Sequence, residues 1–301
     1  MKRHGKNRMR LASAAARLVM AGIGATGAAS AGALETCAPE SGDNRLVVRV
    51  IDAETVGLDD GSTVRLMGAR APWPDSLTVD VETWPPAKEA ARALEALVLN
   101  RDVTLRDEGR RKDRYGRRLA QLALRGSGPP QERWVQYRLV ADGYARAYAL
   151  PGNAGCLGAL VAAENEARQA RRGLWNGGRY RDYAASDVAA LLRRVGRFTV
   201  VEGRVAAVAR TRRYTYVNFD TDWRKDFTIS LRTSAVDRSD DGEARAKALE
   251  GRKVRARGWI ERRNGPMIEV SGLDEIEVVD EPAADAATET AQEARSADAP
   301  Q

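Results

Sequence analysis

Between positions 47 and 74 the chain reads VVRVIDAETVGLDDGSTVRLMGARAPWP, and its side chains able to do chemistry are Asp52, Glu54, Arg65 and Arg70. The one histidine of the 301 residues is His4, and the two cysteines are Cys37 and Cys156. Because His4 lies in the basic start that reads as a leader, no Ser-His-Asp triad, Cys-His pair or histidine-ligated metal is expected in the rest of the chain. Two cysteines cannot by themselves build a structural zinc site. Any catalysis must run on carboxylates, arginines and an oxygen-loving cation.

Strands must position these groups. Val47 to Asp52 is rich in β-branched residues, Glu54 to Leu58 reads as a second short strand, and Thr63 to Gly68 returns after the Asp60-Gly61 turn. Pro72 ends the meander, because proline cannot donate to a ladder. A long Trp- and Pro-bearing loop leads to a helix over 86–99, with Ala87, Ala90, Ala91, Leu94, Leu97 and Val98 at helical spacing. Val103 to Leu105 reads as a strand, Arg110-Arg111-Lys112 as a turn, 116–124 as a further strand, and 134–144 and 157–172 as helices.

Four blocks in order resemble the staphylococcal-nuclease-like (thermonuclease) family: the meander, Ala87-Lys88-Glu89-Ala90-Ala91, Asp113-Arg114-Tyr115-Gly116-Arg117-Arg118-Leu119-Ala120, and Ala163-Glu164 through Gly173-Leu174-Trp175. The resemblance covers about residues 45 to 176. It implies a mainly β, α+β fold in which a five-stranded OB-type barrel carries three helices. It also implies phosphodiester hydrolysis, with calcium held by aspartates, a glutamate as general base and two arginines on the phosphate.

Carried over position by position, Arg65 and Arg117 match the two phosphate-binding arginines. Glu54 takes the place of the first aspartate ligand, Asp52 matches a nearby acidic position, and Thr55 matches its threonine neighbour. Arg70 stands where the second aspartate belongs and Trp73 where the base belongs. A cation disfavours calcium there, and an indole accepts no proton at a useful pH. The expectation is retained phosphate-gripping arginines on a degenerate calcium and base site, with Arg65, Arg70, Arg117 and Trp73 as the nucleic-acid-binding set and Trp73 able to stack on a base.

The rest of the chain supplies context. The formal charge is +7, with six basic and no acidic residues in 1–34, and six acidic residues against Arg295 from Asp280 onward. The basic start, the apolar Ala/Gly-rich run to Ala29 and the small-residue sites that follow read as a signal peptide over 1–33, hence export to the periplasm or medium. In an exported chain Cys37 and Cys156 are a disulfide candidate; two unrelated buried thiols are the alternative. No other stretch has the roughly 18 apolar residues of a membrane span.

Residues 177–195 read as a polar linker with a short helix. Residues 196–279 resemble, loosely, a second small OB-like β-barrel, with strands at 199–208, 214–220 and 226–231 and a hairpin turning at Asn264-Gly265. The tail over 280–301 reads as disordered. Arg252, Lys253, Arg255 and Arg257 are a candidate second binding stripe. Asp220 and Asp222 are a turn or a cation site.

Two alternatives stand beside the degenerate nucleic-acid or anion binder. One is an active calcium-dependent nuclease using displaced carboxylates from Asp75, Asp80 or Glu82. The other is a structural or partner-binding envelope protein, in which Arg65 and Arg117 only pair with Asp52 and Glu54.

Overall fold

The computed structural model describes residues 37–74, 79–81, 83–150, 154–222 and 224–279. Asp75, Glu82, the leader and the acidic tail lie outside the described residues.

β1 (Asp43–Asp52), β2 (Thr55–Leu58) and β3 (Thr63–Leu66) form the meander. β4 (Ala69–Arg70) follows directly. The turn into it is made by Gly68 at φ +85, where a Cβ would lie 2.5 Å from Leu160, so both the backbone angle and the packing select glycine. α1 (Pro85–Val98) begins on two prolines, which suit a first turn that needs no amide donors. It buries Ala87, Ala90, Leu94 and Val98 along one face.

β5 (Asp102–Lys112) and β6 (Arg118–Leu124) form a long hairpin with a register irregularity between Asp107 and Lys112. The expected basic turn at 110–112 is therefore strand. Asp113, not the arginines, makes the turn, its carboxylate accepting from the Tyr115 and Arg117 amides at 2.8 and 3.0 Å. The barrel closes in the order β1-β2-β3-β6-β5, with β5 back on β1.

A short, unexpected α2 (Pro130–Arg133) precedes α3 (Val135–Ala141), the helix expected over 134–144, and an extended Trp134 separates the two. Trp134 is fully buried and donates its indole N–H to Gln121 Oε1 at 2.9 Å. Gly143 at φ +78 ends α3. β7 (Arg146–Ala147) pairs with β4, placing Arg70 opposite Arg146. α4 (Leu157–Gln169) covers the barrel, and a disulfide joins Cys156 at its start to Cys37 ahead of β1. Val47, Val56, Leu66, Leu94, Leu105, Leu122, Leu139 and Leu160 belong to this first core.

Within the segment expected as a linker, β8 (Tyr183–Ala184) pairs with the next strand, and the short helix expected there is α5 (Val188–Leu192), capped by Asp187 accepting from the Ala190 amide. β9 (Phe198–Arg204) stops before Val205, and β10 (Ala207–Arg210) begins a separate strand, so 199–208 is two strands rather than one. β11 (Tyr214–Asn218) and β12 (Thr228–Arg232) follow. Next come α6 (Thr233–Val236), α7 (Gly242–Lys247), β13 (Lys253–Trp259), β14 (Glu261–Arg263), β15 (Gly265–Val270) and β16 (Ile276–Val278).

These strands divide between two sheets, β10-β11-β12-β15-β14 and β16-β13-β9-β8, around one core of Val201, Val217, Phe227, Ile229, Leu231, Val254 and Ile268. Asp220 makes a turn: its Oδ1 accepts from the amides of Thr221 and Asp222.

The two halves meet through buried charge. Arg257 donates to Glu277 at 2.9 Å and lies 3.5 Å from Glu164, with side chains 2 and 0 % exposed for Arg257 and Glu164. Arg255 contacts Glu202 at 2.7 Å, Glu277 at 3.0 Å and Asp182 at 3.2 Å. The candidate basic stripe is thus corrected. Arg255 and Arg257 face inward and lock the interface, because their strand alternation points at the first domain rather than at solvent. Tyr148, Phe198 and Trp259 add edge-to-face contacts across the same seam, with centroids 5.4 to 5.9 Å apart. No described helix is long and apolar enough to cross a membrane.

Candidate nucleic-acid interface

Glu54 lies between β1 and β2, where the chain bends tightly enough for its own amide to donate to Asp52 Oδ1 at 2.7 Å. Its carboxylate is buried and fully engaged. Arg70 Nη1 lies 2.9 Å from both oxygens, the Ala71 amide donates to Oε1 at 2.8 Å, and Arg65 Nη2 sits 2.5 Å from Oε2. β3 pairs with β2 so that Arg65 lies opposite Thr55, and the β4–β7 pair fixes the backbone of Arg70. Burial works most strongly against the charge of Arg65, but Glu54, Tyr148 and Asp52 together outweigh it, and the guanidinium holds its proton more tightly than usual. Tyr148, pushed above its ordinary range by burial, accepts from Arg65.

Arg117 does not pair with Asp52 or Glu54. Its Nε donates to Asp113 at 2.7 Å within its own turn, its Nη1 reaches Thr55 Oγ1 at 3.4 Å, and it lies 5.3 Å from the Tyr115 ring centroid. Tyr115 is 67 % exposed, so it lines an opening rather than a core. Arg70 lies 5.3 Å from the Trp73 ring and 5.7 Å from that of Trp259. Trp73 is 55 % exposed.

Together these residues line a cleft of about 610 Å³ whose described walls carry Arg65, Arg70, Lys88, Arg114 and Arg117 against two carboxylates, Asp52 and Glu54. Exposed aromatic rings beside surplus guanidinium groups suit a phosphate-bearing chain with stackable bases.

Among the described residues the donors around Glu54 do not fit calcium. That ion takes six to eight oxygens, whereas both oxygens of Glu54 already face guanidinium groups. The Arg70 cation sits against the carboxylate that would ligate it. Among the described residues no three His, Cys, Asp or Glu side chains cluster to hold a metal. Asp80 is exposed and is not among the cleft-lining side chains.

Sequence reasoning missed Tyr148, Lys88 and Trp259. Tyr148 follows the β7 strand two residues after Arg146, and that short alternation was its only signal. Trp259 comes from the other half of the molecule, and nothing local marks it.

A family model described as staphylococcal nuclease homologue matches residues 63–177. The thermonuclease of Staphylococcus intermedius is 30% identical over 137 residues, which span 44% of this chain and 77% of that protein. The thermonuclease of Staphylococcus hyicus is 28% identical over 131 residues, 43% of this chain and 74% of that one. Protein ParB of Escherichia coli is 34% identical over 134 residues, 43% and 71% respectively. With its closed five-stranded barrel and its arginines gathered at one cleft, the chain belongs to the staphylococcal nuclease homologue family.

Proposed function

We propose that the protein binds single-stranded nucleic acid or nucleotide phosphate through Arg65, Arg70, Arg117 and Trp73, without calcium-dependent hydrolysis. The observation that carries this reading is the Arg70–Glu54 ion pair, 2.9 Å to each carboxylate oxygen. A guanidinium holds the carboxylate that a divalent ion would need, while cationic side chains remain in surplus around the cleft. Trp73 supplies a stacking surface in place of a proton acceptor. General-base assistance is worth about 10²–10⁴ in rate, so its replacement alone removes most hydrolytic competence.

The disulfide and the signal-like start support action in an oxidising compartment outside the cytoplasm.

The test is cleavage of single-stranded DNA and RNA by purified protein, with calcium and with chelator, beside an Arg70→Asp/Trp73→Glu double variant. The natural sequence should bind oligonucleotide in chelator and cleave nothing. The double variant should gain calcium-dependent cleavage. Chelator-sensitive cleavage by the natural sequence would overturn the proposal.

A further inference from the structure

Beside the cleft lies a second hollow, of about 280 Å³, between the two halves of the molecule. Its described lining carries six arginines (Arg70, Arg146, Arg179, Arg181, Arg194 and Arg197) and no carboxylate. Trp84, Tyr183 and Phe198 supply rings. Arg70, Ala71, Pro72, Trp73 and Trp259 line both hollows, so the two spaces adjoin across that ridge.

Two of the arginines are held in ways that leave charge to spare. Arg197 donates to the Pro74 carbonyl at 2.9 Å, a neutral partner. Arg146 donates to the Arg181 carbonyl at 2.7 Å and is 3.9 Å from Asp182, its Nε buried without a partner. Arg146 also lies 4.6 Å from the Tyr180 ring centroid. Arg70 and Arg179 pair with Glu54 and Glu89, each at 2.9 Å, but neither carboxylate lines the hollow, and arginines in excess with aromatic faces among them match alternating phosphate and base rather than a purely anionic polymer.

We propose that the interdomain hollow is a second nucleotide site, in which a single strand leaving the first cleft crosses Trp73 and Trp259 and sets its next phosphate and base among Arg197, Arg146 and Trp84. The second half of the molecule, which supplies Arg194, Arg197 and Trp259, is then a strand-binding extension of the nuclease-like half. This rests on the nucleic-acid reading of the cleft.

Fluorescence anisotropy with an eight-nucleotide and a two-nucleotide oligothymidylate tests it. Arg197→Gln changes a side chain that lines the hollow and does not line the cleft. An Arg179→Gln/Arg181→Gln double variant changes two exposed rim residues, so its outcome does not depend on the interface folding correctly. Arg117→Gln probes the cleft.

Both hollow variants should weaken the octamer about tenfold, as expected for loss of one site's phosphate and stacking contacts. They should leave the dinucleotide unchanged, and Arg197→Gln should lower the salt slope by about 0.7, one phosphate on a single strand. Unchanged octamer binding in both variants overturns the second site; if Arg117→Gln still weakens both ligands, the cleft reading stands alone. Loss in the hollow variants with none in Arg117→Gln upholds the hollow and removes the cleft reading. Absence of octamer binding by the natural sequence removes both. An octaglutamate peptide that displaces the octamer at equal concentration overturns the nucleotide assignment.

Discussion

Replacing Glu54 with glutamine should damage the protein far more than replacing Arg70 with methionine. Glu54, Arg65 and Arg70 have side chains 8, 18 and 11 % exposed, so none is well screened by water. At an effective dielectric of about 20 each guanidinium–carboxylate attraction is on the order of 4 kcal/mol. Glu54→Gln removes two such attractions and leaves two buried cations repelling each other, although the Ala71 amide keeps an amide oxygen as acceptor. Relief of the carboxylate's own desolvation returns several kcal/mol. The net loss is about 3–5 kcal/mol, the range found when a buried pair loses one partner.

Arg70→Met instead removes one attraction, one cation–cation repulsion and one buried charge, and should cost less than about 1.5 kcal/mol. In a chain of this size the first variant should melt roughly 10 °C lower and the second only a few degrees lower. The two stranded arginines of Glu54→Gln also become a receptor for anions. Inorganic phosphate at 100 times its dissociation constant should restore about 2.7 kcal/mol. Thermal unfolding followed by tryptophan fluorescence, with a phosphate titration, reads all three quantities. Equal melting temperatures for the two variants, or phosphate stabilising Glu54→Gln no more than the natural sequence, would refute the reasoning.

Burial pushes the Glu275 carboxyl up from 4.5 to about 7, so its contribution to stability is present below about pH 4.5 and is lost as pH rises through 7. Glu275→Gln should therefore be more stable than the natural sequence at pH 8 by up to about 3 kcal/mol and indistinguishable at pH 4; urea midpoints across that range with one common slope would contradict this. The Cys37–Cys156 bond closes a sequence separation of 119 residues. Reducing it should lower the unfolding free energy by about 2–5 kcal/mol, read as a shift in urea midpoint with and without reductant.

The first barrel was legible because its signals are local. Alternating β-branched residues, an Asp-Gly turn and a Pro-led amphipathic helix each specify one element. The four family blocks then fix the order in which those elements close. The extended conformation of Trp134, the first residue of the expected helix, was not legible. Its cause is a tertiary hydrogen bond to Gln121 and full burial, which no periodicity expresses. The basic run at 110–112 misled because charge and exposure look alike in a turn and in a barrel rim.

At the site, sequence placed Glu54, Arg65 and Arg70 on neighbouring elements but could not say which arginine the carboxylate would hold. The structure gives it both, and it gives Arg117 to Asp113 instead. The alternation of Arg255 and Arg257 was read correctly as one strand face, but only the docked domain reveals which way that face looks.

The recognisable family region ends at residue 177, whereas the physical unit does not. Glu164 is completely buried inside that region, yet one of its cationic neighbours, Arg257, comes from a strand some ninety residues later, as does the Trp259 ring packed on Tyr148. Cutting the chain at residue 177 would expose a seam that is interior in the whole molecule. Such a fragment would keep Arg168 on Glu164 but lose Arg257, and it would leave the Tyr148 ring without the Phe198 and Trp259 rings that cover it. Evolutionary modules and folding units are different partitions of this chain, and the second is the larger.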